Sequence, residues 1–330
     1  MRIGLEDLQR EAAATGFLAE TLEKALRLLS LLEALRSHPY LRTRLALKGG
    51  TALNLFIFDT PRLSVDVDLN YVGALDREAM LAERPKVEQA VQAVCGREGL
   101  VVKRVPGEHA GGKWRLTYPA AAGQSGNLEL DVNFLLRASL WSTALVDSRV
   151  LGSYRAEGVR MLDLHELAAG KLAALLSRTA SRDLFDTREL LQRNDLDATK
   201  LRLGFVVYGA ANRKDWRTVS VDNVKVDLAE LRSQLLPTLR TATLPAPKEV
   251  AAWGERLVSE CRDLLSDVLP LTAAEREFVE RLNDRGEIVP ELLTDDGAMQ
   301  TTLREHPALR WKAVNVRKRR GLNEEGEEAG

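Results

Sequence analysis

Asp66 and Asp68 stand one residue apart in "RLSVDVDL". On a strand, side chains alternate between faces, so both carboxylates point one way while Val65, Val67 and Leu69 point the other. Like charges that close repel unless something compensates them. A divalent cation does so, and Mg²⁺ is commonly held by one or two carboxylates together with phosphate oxygens. The plain structural alternative is a solvated strand face that carries two aspartates. A second acidic alternation lies in "LELDVNF", where Glu129, Asp131 and Asn133 share a face and Leu130, Val132 and Phe134 share the other. If the two strands are neighbours, a third carboxylate joins the pair. Two ions about 4 Å apart then suit in-line phosphoryl transfer. Asp131 is the third ligand adopted, although Glu129 has the same phase and the pattern alone does not choose between them.

Gly49-Gly50 precedes an apolar helical stretch. A glycine turn that feeds a helix N-terminus offers backbone N–H groups and a favourable dipole to an anion, typically phosphate. A tight turn with no ligand explains the same pair. There is no GxxxxGK[ST] loop, so a P-loop nucleotidase is not supported. A third block, "HELAAGKLAALLSRTASRDLFDTREL", carries Lys171, Arg178, Arg182, Asp183 and Asp186. Cations there can offset the charge of a triphosphate and stabilise its leaving group. Helical spacing also makes Arg182 and Asp186 an ordinary surface pair. The four histidines are scattered, and nothing has the form of a Ser/His/Asp hydrolase or a GxSxG elbow. The tryptophans read as core or interface residues.

The elements that must position these residues follow from periodicity. Leu18, Leu22, Ala25, Leu29 and Leu32 recur at helical spacing, which predicts one or two helices between Leu5 and about Ser37. "LALKGG" runs into the glycine turn, and "TALNLFIF" predicts a helix capped by Thr51. "LSVDVDLNYV", "LVVKRV", "KWRLTYP" and "NLELDVNFLL" read as strands, with a hairpin connection across 120–126. "REAMLAERPKVEQAVQAVCGREG" reads as a helix that stops at Gly96 or Gly99. After Met161 the pattern is helical to the end, with a break near Thr179–Ser181 and prolines at "LPAPKEV" and "IVPELL". The expected organisation is an α/β domain over 1–160, a helical domain over 161–316 that completes the site, and a disordered tail over 317–330, where "RKRR" is followed by acidic residues.

Composition sets the outer limits. The chain has 330 residues, 45% hydrophobic and 29% charged, with a formal net charge of −1. It is long enough to bury one or two cores and is not a mainly disordered sequence. The near-neutral total gives no global sign of nucleic-acid binding, though local basic clusters occur at Arg42/Arg44, Lys103/Arg104 and 317–320. Cys95 and Cys261 lie far apart without CxxC spacing, which argues against a disulfide framework or a zinc site. No run has the length of a membrane span or the form of a signal peptide, so a cytoplasmic protein without a membrane partner is expected.

In this order the blocks resemble the AbiEii/AbiGii-type nucleotidyltransferase toxins, which include the MenT enzymes. The resemblance rests on Lys48-Gly49-Gly50-Thr51-Ala52-Leu53, on Arg62-Leu63-Ser64-Val65-Asp66-Val67-Asp68-Leu69, and on Lys171-Leu172-Ala173-Ala174-Leu175 with Arg178 and Arg182-Asp183-Leu184-Phe185-Asp186. It covers about residues 45–195. It implies an α+β chain with a polymerase-β-like nucleotidyltransferase domain on a mixed sheet, followed by a mainly helical domain. It further implies transfer of a nucleotide from a nucleoside triphosphate with Mg²⁺ (or Mn²⁺). The implied acceptor is RNA, the 3′ end of tRNA in several relatives, with a block of translation and an antitoxin partner. Carried over residue by residue, Gly49, Gly50, Thr51 and Ser64 would face the triphosphate. Lys171, Arg182, Asp183 and Asp186 would complete the site, and Asp66 and Asp68 would hold metal. Many nucleotidyltransferases begin this motif with GS, where this chain has Gly49-Gly50 followed by Thr51, which displaces the hydroxyl by one residue. Transfer onto a protein hydroxyl, or nucleotide binding without catalysis, are the alternatives.

Overall fold

A computed structural model of the chain describes residues 3–105, 107 and 110–321. Two helices come first, α1 (Leu5–Thr15) and α2 (Ala19–Ser37). Gly16 ends α1 with a φ of 77°, a left-handed conformation that glycine adopts without a Cβ clash. In α2 the expected stripe of Leu22, Ala25, Leu29 and Leu32 is buried. Leu18 does not belong to that stripe: it sits at the N-cap and is exposed.

The α/β portion then runs β1 (Leu45–Lys48), α3 (Gly49–Ala52), β2 (Asp66–Tyr71), α4 (Arg77–Arg97), β3 (Val101–Arg104), β4 (Gly111–Pro119), β5 (Ser125–Asn133), β6 (Ala144–Val146) and β7 (Val159–Met161). The seven strands form one mixed sheet in the order β3-β4-β5-β2-β1-β7-β6. β2 runs parallel to β5 and β1 to β7, while the other neighbours are antiparallel. β6 and β7, absent from the strands expected from sequence, have three residues each and are too short to show a period of two.

Alternation gives the sheet two unlike faces. Val67, Leu69, Trp114, Leu116, Leu130 and Val132 are buried on one of them. α2 crosses that face, where the Arg27 guanidinium lies 4.2 Å from the ring centre of Tyr118. The opposite face carries the polar residues of β2, β4 and β5 and is free for chemistry. Thr51 does not cap α3. Lys48 is the N-cap, Gly49 starts the helix, and Thr51 lies inside it. The helix continues into a wider π turn, Leu53–Ile57.

The rest is helical: α5 (Leu164–Ser177), α6 (Ser181–Leu191), α7 (Ala198–Ala210), the single turn α8 (Leu228–Glu230), α9 (Val250–Leu264), α10 (Ala273–Glu280), α11 (Gly297–Glu305) and α12 (Pro307–Arg320). The break between α5 and α6 falls where the sequence places it. Asp163 caps α5 by accepting from the His165 N–H, and α5 packs against α3, α6 and α7. Residues 317–320, expected in a disordered tail, instead form the last turn of α12, which stops at Gly321 with a φ of 66°. Residues 322–330 of the expected tail lie outside the described residues. Cys95 and Cys261 are both free and buried, and no helix among the described residues is long and apolar enough to cross a membrane.

Candidate active site

The β2–β5 register brings the two acidic alternations together. Asp66 lies opposite Glu129 and Asp68 opposite Asp131, all on the free face of the sheet. β4 adds Lys113 opposite Asp131, and β1 adds Lys48 opposite Asp68. This face forms one wall of a cleft of about 430 Å³ whose other wall is α5 and the start of α6. Asp66, Asp68 and Asp131 all line it. Glu129 is engaged elsewhere, since its carboxylate accepts from Lys113 Nζ at 2.7 Å. The structure therefore favours Asp131 over Glu129.

The carboxylates differ in their partners. Asp66 Oδ2 is 3.4 Å from Arg182 Nη1. Among the described residues, the Asp68 and Asp131 side chains make no hydrogen bond or ion pair. Burial pushes the Asp66 and Asp131 carboxyls upward, and the nearby Asp68 adds to this, while Arg182 acts against it at Asp66 and Lys48 at Asp131. The expected three-carboxylate cage is nevertheless not closed: no three His, Cys, Asp or Glu side chains among the described residues stand near enough to hold an ion. Asp66 faces Arg182 instead. What the donor set does have is oxygen ligands alone and two opposed carboxylates with no ion pair at contact distance among the described residues, which suits a hard divalent cation.

Gly49 is required where it stands. Its φ is 72°, and a Cβ there would lie 2.2 Å from Asp68 Oδ2. Gly50 has ordinary helical backbone and is less constrained, although a Cβ there would come within 3.0 Å of Arg62 Nη2 and 3.3 Å of Ser64 Oγ. The glycine pair thus lets the start of α3 lie against the carboxylate strand, and Gly49, Gly50 and Ser64 all line the cleft. Thr51 departs from expectation: its buried hydroxyl donates to the Asp66 carbonyl and ties α3 to β2 instead of facing the cleft.

The cationic wall rests on a buried network. Asp186 is fully buried and accepts from Arg62 Nε at 2.7 Å, Arg62 Nη2 at 2.6 Å and Asn54 Nδ2 at 2.9 Å, with Lys171 Nζ 3.0 Å away. Asp183 accepts from Lys171 Nζ at 2.9 Å and from Arg178 Nε at 2.7 Å. Burial opposes the charge on both carboxyls, but Lys171 with Arg178 at one, and Arg62 with Lys171 at the other, outweigh it and hold both below the usual carboxylate range. Burial likewise works against the Lys171 ammonium, and Asp186 and Asp183 outweigh it. Asp186, expected among the catalytic groups, is fully buried in this network, and Asp183, expected to contact nucleotide, lines the cleft while bonded to Lys171 and Arg178. They hold Lys171, Arg62 and Arg178 in place. Three cations against two carboxylates leave one positive charge in excess beside the cleft.

Arg62, Asn54, Lys113 and Lys48 enter the site without a role from sequence reasoning. Arg62 lies within the quoted motif, but its partner is 124 residues away. Lys113 becomes visible only once β4 is registered on β5. Glu166 and Tyr208 also line the cleft, and the Tyr208 hydroxyl donates to Glu166 Oε1 at 2.8 Å.

A mixed sheet that presents aspartates from a central strand to a glycine-led helix, faced by a cationic helical wall, defines a nucleotidyltransferase. The family model described as "Nucleotidyl transferase AbiEii toxin, Type IV TA system" matches residues 30–313. The chain belongs to this family of nucleotidyltransferase toxins of toxin–antitoxin systems. Among solved structures it is similar to MenT4, a nucleotidyltransferase toxin from Mycobacterium tuberculosis H37Rv, with a TM-score of 0.62 and 17% identity over 92% of this chain and 99% of that one. At that identity the likeness concerns the fold. No curated protein matches.

Proposed function

We propose that this toxin transfers a nucleoside monophosphate from a nucleoside triphosphate to an RNA 3′ end, that of tRNA, in the cytoplasm, and so blocks translation until its cognate antitoxin restrains it. The observation that carries the reading is the opposition of Asp68 and Asp131 across one parallel strand pair, beside a cationic wall with one positive charge in excess. Asp68 and Asp131, with Asp66 turned to join them, would hold Mg²⁺ or Mn²⁺. A bound ion of this kind offsets triphosphate charge and aligns the α-phosphate for in-line attack. Lys171, positioned by Asp183 and Asp186, faces the β- and γ-phosphates. The backbone at Gly49 and Gly50 and the Ser64 hydroxyl receive phosphate oxygens. The acceptor hydroxyl, deprotonated at the carboxylate end, attacks the α-phosphorus; the bond to the bridging oxygen breaks and pyrophosphate leaves.

RNA as acceptor is supported by α12. Its last turn carries Arg317, Lys318, Arg319 and Arg320, and Trp311 on the same helix is half exposed. Lys312 Nζ donates to the Asn212 carbonyl at 2.6 Å, and Asn212 Nδ2 donates to Ser177 Oγ at 2.8 Å, one residue before Arg178 of the cleft. A basic helix with an exposed aromatic, tied through Asn212 to the C-terminal end of α5, suits a phosphate backbone and a stacked base. The test incubates labelled nucleoside triphosphates with tRNA or with a protein extract, using wild type and Asp68→Asn. Label is expected on the tRNA 3′ end and is expected to fall at least about a hundredfold in the variant. Label on protein, or labelling that survives Asp68→Asn, would sink the proposal.

A further inference from the structure

The cleft has a second end that phosphate and metal chemistry leave unused. Glu166, Gly170 and Ala174 of α5 line it at intervals of four, so they form one stripe along the helix. At 1.5 Å per residue the stripe from Glu166 to Ala174 is about 12 Å long, one turn short of Arg178 and the charged end. Around Glu166 the wall turns apolar, with Leu136, Leu162 and Leu167. That composition suits a flat aromatic ligand and not a phosphate.

Within this apolar end sits one polar pair. Glu166 is 1% exposed, its Oε2 accepts the Leu140 N–H at 3.1 Å, and its Oε1 accepts the Tyr208 hydroxyl at 2.8 Å. The Trp141 backbone N–H adds a third contact, and since a carboxylate has about four lone-pair sites, acceptor capacity remains for one more donor. Tyr208 has given its one proton to Glu166, so its oxygen can only accept from anything else. The pair therefore presents acceptors to the cleft. Burial pushes the Glu166 carboxyl up to about 7, and a donor arriving from a ligand favours its charged form.

We propose that this end is the nucleobase subsite, and that Glu166 with Tyr208 selects bases bearing an exocyclic amino group (adenine, guanine, cytosine) over uracil. Such an amino group supplies the donor that the pair lacks, while uracil presents carbonyl oxygens on either side of its single imino N–H. Entry of uracil leaves buried acceptors unpaired or facing oxygen, and a site built around a hydrogen bond rejects an analogue that lacks it far more strongly than it rejects a missing methylene.

The inference rests on the nucleotide-transfer reading, so the test separates the two. kcat/KM is measured with ATP, GTP, CTP and UTP for wild type, Glu166→Gln and Tyr208→Phe, beside inhibition by inorganic tripolyphosphate, which has no base. Wild type is expected to prefer at least one amino-bearing nucleotide over UTP by about tenfold or more. Glu166→Gln, which exchanges an acceptor for a donor, should collapse that ratio, and Tyr208→Phe should reduce it. Tripolyphosphate inhibition should stay within about twofold in both, because the phosphate end is intact. Variants that lower all four nucleotides equally, or a wild type that uses UTP as well as the others, overturn the inference. Absence of transfer from all four by wild type overturns the nucleotide reading itself, and this inference with it.

Discussion

Asp186→Asn changes one oxygen to an NH₂ group and keeps the side-chain shape. In the native chain Asp186 is fully buried, and it is the bidentate partner of Arg62, itself only 2% exposed. The variant leaves the Arg62 guanidinium in the interior with no carboxylate in contact, and it aims an amide N–H at a donor. Lys171 retains Asp183 at 2.9 Å, so the loss falls mainly on Arg62. Removing one partner of a buried pair costs about 3–5 kcal/mol. At roughly 2 cal/mol/K per residue, a cooperative unit of this chain's 330 residues loses about 4–7 °C in Tm. Urea unfolding and thermal melts of wild type and variant measure both quantities. A companion double variant, Arg62→Met with Asp186→Leu, removes both charges and is expected to recover at least about 2 kcal/mol of the loss. A cost below about 1 kcal/mol for Asp186→Asn, or a double variant no better than the single one, would refute the claim that this network is a buried electrostatic support.

Three further expectations follow from other parts of the structure. Gly49→Ala forces a Cβ into a left-handed backbone and toward Asp68, so it should cost about 1–2 kcal/mol or more and lower nucleotide transfer at least tenfold; unchanged transfer would show that the Gly49–Asp68 approach is not needed. Asp183 and Asp186 have folded-state pKa values below their unfolded ones, so their stabilisation is fully present above about pH 4 and is lost as pH falls through the depressed values. The urea midpoint should therefore decline below about pH 4, and a decline just as steep in Asp183→Asn/Asp186→Asn would contradict that assignment. Lys318→Ala/Arg319→Ala should lower the slope of log RNA affinity against log salt by about 1.4–1.8 if both contact phosphate; an unchanged slope would place the RNA elsewhere.

Much of the site was legible before folding because strands have a period of two. Alternation alone puts Asp66 with Asp68, and Glu129 with Asp131, whatever the partner strands are. The break between α5 and α6 and the glycine pair at the start of α3 are visible in sequence as small and polar residues that interrupt apolar runs, although Glu230 holds the Ser181 end and Asp68 crowds Gly49. The assignments that changed are those in which a polar side chain had more than one way to be satisfied. Thr51 was expected at phosphate, and its hydroxyl serves the Asp66 carbonyl. Asp186 was expected in the chemistry, and it is closed off by Arg62 and Asn54.

By itself, then, the order of residues determined the family, the carboxylate faces and the helical character of the second half, because these follow from motif order and from periodicities of the backbone. Only the tertiary structure decided that Asp131 and not Glu129 lines the cleft, because that turns on β4 bringing Lys113 within 2.7 Å of Glu129. It also decided that Asp183 and Asp186 pair with Lys171 and that Asp186 is wholly buried beside Arg62. The physical reason is common to both: a charged group's role depends on which opposite charge and how much water surround it, and those are set by residues distant in the chain.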